Sequence, residues 1–277
     1  MPELPEVETT ALGLRARIVG LRVVSVGGVD WPRMLPNATQ AELQEVLGGR
    51  QVKSIDRKGK YLLVEFEHDR WLSIHRKMSG NLLLRTAEVP REAHTHLEID
   101  FDDGSVLRFV DPRKFGRVNL FRSREELVDF LAQRLGPDSL VDLDEGVLTT
   151  KIRGRRGRIK SLLLNQAFLA GIGNLYADEA LWEARIHPLR PAALLSKAEV
   201  RRLARAIKQV LVLGIKRRGT SFSSYRDADG LEGENQQFLN VYGRASEACP
   251  RCGKPISRIL IGQRSTHFCP KCQKGDV

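Results

Sequence analysis

The sequence predicts an α+β chain of several domains: a β-sandwich that carries an N-terminal helix, then a helical region, then a hairpin held by four cysteines. Three observations support this fold class. Apolar residues alternate in short β-branched segments through the first 120 or so residues, they recur at helical spacing after residue 150, and every cysteine lies after residue 248. A chain of 277 residues is long enough for one large domain or two ordinary ones.

The first twenty residues predict a helix. Its apolar residues recur at helical spacing, at Val7, Ala11, Leu14 and Ile18. Pro5 suits the first helical position, and Gly20 suits the end of the helix. Glu6 and Glu8 would stabilise the helix dipole in the first turn, which is an ordinary structural role for acidic residues at this place.

Short strands follow the helix. The segments RVVSVGGV, RQVKSI, KYLLVEFE and RWLSIH are rich in β-branched and aromatic residues, and about half of their positions alternate. HLEIDFDDGSVLRFV predicts a hairpin whose turn is Asp103-Gly104. Several such strands bury their apolar faces most simply in a two-layer sandwich.

Helical segments mark the second half of the chain. Residues 122–150 hold a short acidic amphipathic stretch and then the breaker Gly136-Pro137-Asp138. SLLLNQAFLAGIGNLYADEALWEA predicts two helices joined at Gly171 and Gly173.

A third helix is predicted from Ser196 to Arg218, with a capping box formed by Ser196 and Glu199. The residues that follow, 219–236, are rich in Gly, Ser and Asp and predict a loop. We therefore expect domains at 1–134, 135–240 and 241–277.

The charge of the chain favours nucleic acid as a partner. There are 45 Lys and Arg against 34 Asp and Glu, a net charge of +11. Lys151–Lys160 carries six basic residues and no acidic one. A basic but otherwise ordinary soluble protein is the alternative. Because no apolar run is long enough to span a bilayer and the acidic start is unlike a signal peptide, we expect a cytosolic protein with no membrane partner.

Four cysteines predict a zinc site in the tail. Cys249-x2-Cys252 and Cys269-x2-Cys272 form two short knuckles separated by sixteen residues. Four thiolates in tetrahedral array complete the coordination of one Zn²⁺, so the metal would be structural and His267 would not be needed as a ligand. Two disulfides are the alternative, which a cytosolic location disfavours. The tail is also basic, and a metal-held hairpin of that charge suits contacts with phosphates.

Several motifs, in this order, resemble those of one family. PELPEVE, GKYL, HRKMSG, DPRKFG, LNQAFLAGIGNLYADEAL, VYGR and the four-cysteine tail occur together between Pro2 and Cys272. The combination resembles the formamidopyrimidine-DNA glycosylases, the base-excision repair enzymes for oxidised purines. The related endonuclease VIII enzymes typically begin with PEGPE, so Leu4 favours the purine branch. The resemblance implies a β-sandwich, a helix–two-turn–helix domain and a zinc ribbon.

The resemblance implies a catalytic role for the N-terminus. Removal of Met1 would expose the secondary amine of Pro2, and since an α-amino group titrates near pH 8, a useful neutral fraction exists at pH 7. In the family the matching proline is the Schiff-base nucleophile, and the residue matching Glu3 is a proton donor. The resemblance also implies that Lys60 and Arg264 contact phosphates and donate protons in β- and δ-elimination respectively. Position alone favours a Pro2 that only stiffens the chain.

The resemblance further implies a set of DNA contacts. The candidate residues are Met78, His94, Arg113, Phe115, Lys160 and Asn174. Met78, Arg113 and Phe115 match the side chains that fill the space left by an extruded base. Taken without the resemblance, these residues would favour core positions for Met78 and Phe115 and a surface salt bridge for Arg113.

Three further expectations concern charged and polar residues near these contacts. His94 and His96 lie two apart on a predicted strand and are expected on one polar face rather than as a metal pair. Arg76 and Lys77 add charge beside Met78, which is expected to alter the approach to DNA without removing the role of Met78. Arg57 and Lys58 are auxiliary candidates for phosphate contact.

Glu6, Thr220 and Tyr225 are the candidates for a lesion pocket. The predicted function is that of a bifunctional DNA glycosylase and AP lyase that acts on damaged double-stranded DNA as a monomer, in the bacterial cytoplasm at the nucleoid. A glycosylase for oxidised pyrimidines, of the endonuclease VIII type, and a non-catalytic zinc-ribbon DNA-binding protein are the alternatives.

Overall fold

The computed structural model describes residues 2–222 and 224–274. The chain divides into two compact units, Met1–Gln133 with Arg217–Gln236, and Arg134–Lys216 with Gln237–Val277. Across the described residues, no helix combines the length and the apolar character that a membrane span needs.

Helices flank two antiparallel sheets in the first unit. The helices are α1 (Leu4–Ile18), α2 (Gln40–Leu47) and α3 (Arg124–Ala132). The strands are β1 (Val23–Gly27), β2 (Val52–Lys58), β3 (Tyr61–Phe66), β4 (Arg70–His75), β5 (Asn81–Thr86), β6 (Thr95–Phe101), β7 (Ser105–Val110) and β8 (Arg117–Phe121). The sheet orders are β1-β6-β7-β5 and β2-β3-β4-β8.

The two sheets share one apolar core. Ile55 and Leu72 from one sheet, and Ile99 and Phe109 from the other, belong to the same buried cluster. The predicted stripe of α1 packs into this cluster through Val7, Ala11, Leu14 and Ile18, each at most 1% exposed. Burial of four such side chains stabilises the helix far more than its intrinsic propensity does. The predicted β-sandwich with an N-terminal helix is confirmed.

Strands β6 and β7 form the predicted hairpin, in which Asp100 pairs with Val106. Gly104 has a φ of +82°, in the left-handed region that glycine enters without steric cost. The Asp103 carboxylate accepts a hydrogen bond from the Ser105 N–H at 2.9 Å, as Asp does at a turn. Local turn chemistry therefore sets this register.

The expectation that His94 and His96 share a polar strand face is wrong. Strand β6 begins at Thr95, and His94 precedes it in an exposed turn with a φ of +65°. His96 is 2% exposed, and its Nδ1 contacts the Asp30 carboxylate. The two rings lie in different environments because the two-residue period applies only within the strand.

The second unit combines helices with a short hairpin. Its elements are α4 (Glu145–Ile152), α5 (Ile159–Leu164), α6 (Asn174–Glu183), α7 (Lys197–Lys216), β9 (Ser257–Ile261) and β10 (Arg264–Phe268). Short 3-10 turns of the chain lie at Pro32–Met34, Ala192–Leu194 and Asn235–Phe238. Helix α6 begins directly after the predicted glycine turn, as expected. Helix α5 ends at Leu164, so the residues NQAFLA before that turn are not helical, which differs from the prediction. The capping box of α7 is confirmed, because the Ser196 N–H donates to Glu199 Oε2 at 2.8 Å and the Glu199 N–H donates to Ser196 Oγ at 3.3 Å.

The segment Arg217–Gln236 belongs to the first unit, whereas the sequence analysis assigns it to the helical domain. Hydrogen bonds with α1 and β5 explain this. The Thr220 N–H donates to Glu6 Oε1 at 2.9 Å, and Asn81 Nδ2 donates to the Ser224 carbonyl at 2.7 Å. The polar backbone of a long loop needs such partners, and here they lie more than a hundred residues away in sequence.

The packing around Phe109 yields a stability prediction for Gly116→Ala. An added Cβ would lie 2.3 Å from Phe109 Cζ, and Phe109 is fully buried. We expect the free energy of unfolding to fall by about 1–3 kcal/mol, the usual cost of forcing a packed ring aside. Urea unfolding measures it, with Gly27→Ala as the control because a Cβ there meets nothing within 4 Å. Equal stabilities of the two variants would contradict this packing argument.

Candidate functional site

Pro2 and Glu3 are buried immediately before α1. Glu3 is the N-cap, with extended backbone at φ −102° and ψ −169°. Glu6 Oε2 accepts the Glu3 N–H at 2.8 Å, while Glu6 Oε1 accepts the Thr220 N–H at 2.9 Å. One carboxylate therefore connects the residue that follows Pro2 with the 217–236 loop.

Glu8 and Arg57 form an ion pair rather than acting separately. Arg57 Nε lies 2.7 Å from Glu8 Oε2, and the Arg57 side chain is 2% exposed. Arg57 is therefore not an available phosphate contact, and Glu8 binds a strand rather than acting only on the helix dipole.

Lys60 lies in the turn between β2 and β3 and is 5% exposed. The next residue, Tyr61, pairs with His75 across β3 and β4, with ring centroids 4.7 Å apart. His75 Nδ1 accepts the Lys77 N–H at 3.0 Å, so a neutral ring carries its proton on Nε2. Burial, then the charges of Lys77 and Lys60, lowers the pKa of His75 to about 3. This buried neutral histidine begins the HRKMSG motif, but nothing in its sequence neighbourhood indicates its burial.

Met78, Arg113 and Phe115 lie on exposed turns. Met78 is 40% exposed and Phe115 is 44% exposed, so the core interpretation of both is wrong. The Arg113 guanidinium lies over the Phe115 ring, 4.8 Å from its centroid. All three side chains are therefore accessible to a partner.

Asp111, which sequence analysis did not single out, links these turns. Its Oδ2 accepts the N–H groups of Phe115 at 2.9 Å and Gly116 at 2.7 Å, and its Oδ1 accepts the Arg113 N–H at 3.3 Å and the Ser79 hydroxyl. Asp111 is fully buried. A single carboxylate thus organises both the turn that carries Phe115 and the residue next to Met78.

Lys160 is not a surface residue, and its assignment as a DNA contact is wrong. It is fully buried, with Nζ 2.6 Å from Asp178 Oδ1 and 2.8 Å from Thr266 Oγ1. A side chain with no exposed surface cannot reach a phosphate in this conformation. Its role is to join α5 and α6 to the β9–β10 hairpin.

Asn174 and Arg264 lie near each other at the same edge of the second unit. Asn174 is the first residue of α6, and its Nδ2 donates to the Ser265 carbonyl at 2.8 Å. Arg264 is exposed directly before Ser265 in β10. The exposed arginines of the basic segment belong to the same unit, at Arg153, Arg155, Arg156 and Arg158.

The four cysteines converge as a metal site requires. Their Sγ atoms all lie within 4.8 Å of one another, with Cys249 and Cys272 at 4.0 Å and Cys252 and Cys269 at 3.4 Å. Tetrahedral Zn²⁺ with Zn–S bonds of about 2.3 Å places its sulfurs about 3.8 Å apart, so the residues fit zinc. Cys249 and Cys269 also pack with the apolar residues Trp182, Val241 and Ile256, which are buried with them.

Glu6, Thr220 and Tyr225 lie together. A Cβ on Gly219 would lie 2.9 Å from Glu6 Cγ and 3.0 Å from Tyr225 Cε1, so only glycine fits between them. Tyr225 is 4% exposed, and burial raises the pKa of its hydroxyl, which donates to the Arg218 carbonyl at 3.2 Å. Tyr225, a candidate for the lesion pocket, is therefore buried beside Glu6 in this conformation.

Three sequence-family profiles match the chain in order. The formamidopyrimidine-DNA glycosylase N-terminal domain matches residues 1–118, the formamidopyrimidine-DNA glycosylase H2TH domain matches residues 135–226, and the zinc finger found in FPG and IleRS matches residues 246–275.

Similar proteins extend over the same length. A formamidopyrimidine-DNA glycosylase of Herpetosiphon aurantiacus is 45% identical over 276 residues, 99% of this chain and 100% of its own. One of Chloroflexus aurantiacus is 44% identical over 274 residues, 99% and 98% of the two chains. The Lactococcus lactis Fpg in complex with abasic-site DNA superposes with a TM-score of 0.92 at 39% identity, covering 99% of this chain and 100% of that one. Its complex with Fapy-dG DNA gives 0.90 at 38%, with the same coverage.

The buried ion pair of the second unit predicts a large effect of Lys160→Met. The substitution would leave the buried Asp178 carboxylate without its lysine, with the His267 N–H at 2.8 Å and the His267 ring at 3.4 Å as the contacts that remain. We therefore expect the free energy of unfolding to fall by about 3–5 kcal/mol. Urea unfolding measures this, with Lys254→Met as the matched control because Lys254 is exposed. An effect of Lys160→Met no larger than the control's would mean that the pair is not needed.

His75 predicts a pH dependence of stability. Its folded pKa of about 3 lies below the ordinary value of 6.5, so only the unfolded chain binds this proton between those pH values. The free energy of unfolding should therefore fall as the pH drops from 6.5, by about 2 kcal/mol at pH 5 relative to His75→Gln. Urea titrations of both proteins at pH 8 and pH 5 measure the difference. Protonation of the folded His75 near pH 6.5 in NMR spectra would contradict it.

Proposed function

The chain belongs to the formamidopyrimidine-DNA glycosylase family, and on that premise we propose that it excises oxidised purines from double-stranded DNA and then cleaves the strand. The full-length likeness to glycosylases of this name is the observation that carries the proposal. The substrates are 8-oxoguanine and formamidopyrimidines, and Fapy-dG DNA is present in complexes of the Lactococcus lactis relative.

Pro2 supplies the nucleophile once Met1 has been removed. Its nitrogen lone pair bonds to C1′ of the damaged nucleotide, and the bond from C1′ to the base breaks, with the electron pair leaving on the base. The attached nitrogen then loses its N–H proton, which balances the proton that the departing base takes up, and so regains the lone pair that opens the ring. The sugar ring then opens as the C1′–O4′ bond breaks, and Glu3 protonates O4′. The product is an iminium ion. Because the amine is secondary, this iminium has no N–H proton to lose and remains an electron sink.

Strand cleavage follows from that cation. Loss of a C2′ proton sends electrons into the iminium, and the 3′ phosphate leaves by β-elimination, after which the 5′ phosphate leaves by δ-elimination. Lys60 acts as proton donor in the first step and Arg264 in the second, and both contact phosphates as cations. Asn174, whose side chain donates to the Ser265 carbonyl of the hairpin, contributes an uncharged contact with the DNA backbone.

Base extrusion needs side chains that replace the missing base in the stack. Met78 and Phe115 supply apolar surface, and Arg113 supplies hydrogen-bond donors for the base left unpaired. Their exposure and their shared support by Asp111 favour this role. His94, exposed in its turn, is a further DNA contact.

Glu6, Thr220 and the 217–236 loop form the pocket for the extruded base, with Tyr225 as part of its support. One Zn²⁺ on the four cysteines supplies structural stability to the hairpin that carries Arg264. The protein acts on damaged DNA as a monomer, in the cytoplasm at the nucleoid.

Borohydride trapping tests the proposed nucleophile. On a duplex with a single 8-oxoguanine, reduction of the iminium should give a covalent protein–DNA adduct with protein that begins at Pro2. The same protein with a retained N-terminal extension should give at least about a hundredfold less adduct, because its amine has become an amide.

The matched control carries the same extension at the C-terminus and should trap normally. The DNA affinities of the two forms, measured by fluorescence anisotropy, should differ by less than about threefold, because the N-terminal extension blocks the amine and leaves the phosphate contacts unchanged. Normal trapping by the N-terminally extended form would exclude Pro2. Binding without adduct by the processed protein would favour the non-catalytic alternative, and adduct only with an oxidised pyrimidine would favour the endonuclease VIII type.

A further inference from the structure

Arg76 is a fully buried arginine that the proposed chemistry does not use. It directly follows β4, is 1% exposed, and burial lowers its pKa. Its donors reach neutral oxygens: the Gly80 carbonyl at 2.7 Å, Thr10 Oγ1 at 2.7 Å, Asn81 Oδ1 at 2.6 Å and the Arg226 carbonyl at 3.0 Å. The charges of Glu6 and Asp227 partly offset this effect on the pKa, but neither carboxylate is among these hydrogen-bond partners. Burial of a guanidinium is costly, so the geometry that it imposes is the feature to explain. The expectation that Arg76 adds surface charge near DNA is wrong.

Asn81, the first residue of β5, completes the arrangement. Its Oδ1 accepts the Arg226 N–H at 3.0 Å as well as the Arg76 donor, and its Nδ2 donates to the Ser224 carbonyl at 2.7 Å. The side-chain amide therefore pairs with the backbone on both sides of Tyr225, as a neighbouring strand would.

Tyr225 lies under the same arginine. The Arg76 guanidinium is 5.1 Å from the centroid of the Tyr225 ring, a distance at which cation and ring attract. The segment Ser224–Arg226 is thus held through its backbone and through its central side chain. The loop is held again at Thr220, by Glu6.

We propose that Arg76 and Asn81 are positioning residues that hold the 217–236 loop in the conformation that recognises an extruded oxidised purine. This inference rests on the proposed function, in which that loop forms the pocket for the base. Arg76 also closes the turn that carries Met78, through its bond to the Gly80 carbonyl. The buried Arg76 side chain therefore supports both the 217–236 loop, which binds the extruded base, and Met78, which fills the space that the base leaves in the duplex.

The two activities of the protein depend on this support to different degrees. Excision of a base requires that the base be recognised in the pocket. Cleavage at a preformed abasic site has no base to recognise and therefore does not depend on the position of the 217–236 loop. Loss of loop position should therefore slow excision selectively, since a displacement of about 1 Å can cost on the order of a hundredfold in rate.

Asn81→Asp is the sharpest variant, because it keeps the shape and the acceptor for Arg76 but places an oxygen against the Ser224 carbonyl. We expect single-turnover excision of 8-oxoguanine to slow by at least about tenfold and cleavage of a preformed abasic site to change by less than about twofold. Arg76→Leu should slow excision more strongly, and Arg76→Lys should restore part of it, because lysine keeps the charge but not the forked geometry.

Arg108→Leu is the matched control. Arg108 is 4% exposed on β7, and its bonds go to Glu98, Glu92 and the carbonyls of Val89 and Pro90, all outside the loop. It should lower stability without separating the two activities. Limited trypsin digestion of the full chain provides a second measurement: cleavage after Arg226 should accelerate at least about fivefold in the Asn81 and Arg76 variants, and not in Arg108→Leu.

Equal losses of excision and abasic-site cleavage, no loss of either, or the same separation in Arg108→Leu would each overturn the proposal. Absence of both activities in the unmodified protein would instead overturn the proposed function, so the two failures are distinguishable.

Discussion

The carboxylate of Glu6 is the interaction on which the arrangement of the first unit's functional residues depends. It accepts one N–H from Glu3 at the start of α1 and another from Thr220 in the 217–236 loop. These bonds matter for stability, because a buried donor that is left unsatisfied costs about 1–3 kcal/mol. A glutamine could satisfy only one of them, because its amide nitrogen is a donor. The start of the chain and the loop therefore share one requirement for a negative charge.

Asp111 has the corresponding role at the exposed turns. Met78 and Phe115 leave apolar surface in water, which does not stabilise a monomeric fold. Such side chains keep a defined orientation only if the backbone beneath them is rigid, and the Asp111 carboxylate supplies that rigidity to the turn at Phe115 and to Ser79. Hydrogen bonds of the buried Asp111 carboxylate offset the cost of exposing Met78 and Phe115, and the sequence DPRKFG gives no local sign of them.

Local signals were sufficient for much of the fold. The stripe of α1, the Asp-Gly hairpin, the capping box of α7 and the cysteine spacing each depend on residues that are close in sequence, and each is confirmed. Two of the errors concern charged residues whose partners are distant: Lys160 binds Asp178 and Thr266, and Arg76 binds Asn81 and Arg226. A lysine inside a basic run or an arginine beside an exposed methionine has no local mark of burial, because burial depends on tertiary partners.

Two separate sets of contacts hold the β9–β10 hairpin in place. At one end its conformation is set by the four thiols, and near the other end Lys160 and Asn174 bond to the backbone of Ser265 from the helices. Thiolates that hold a metal are targets for the oxidants that damage purines. Because the attachments are separate, oxidation of the cysteines leaves the contacts of Lys160 and Asn174 with Ser265, next to Arg264, in place. Oxidation of the cysteines would therefore loosen one end of the hairpin while Lys160 and Asn174 still hold the other. The oxidants that damage the DNA would then not at once displace Arg264.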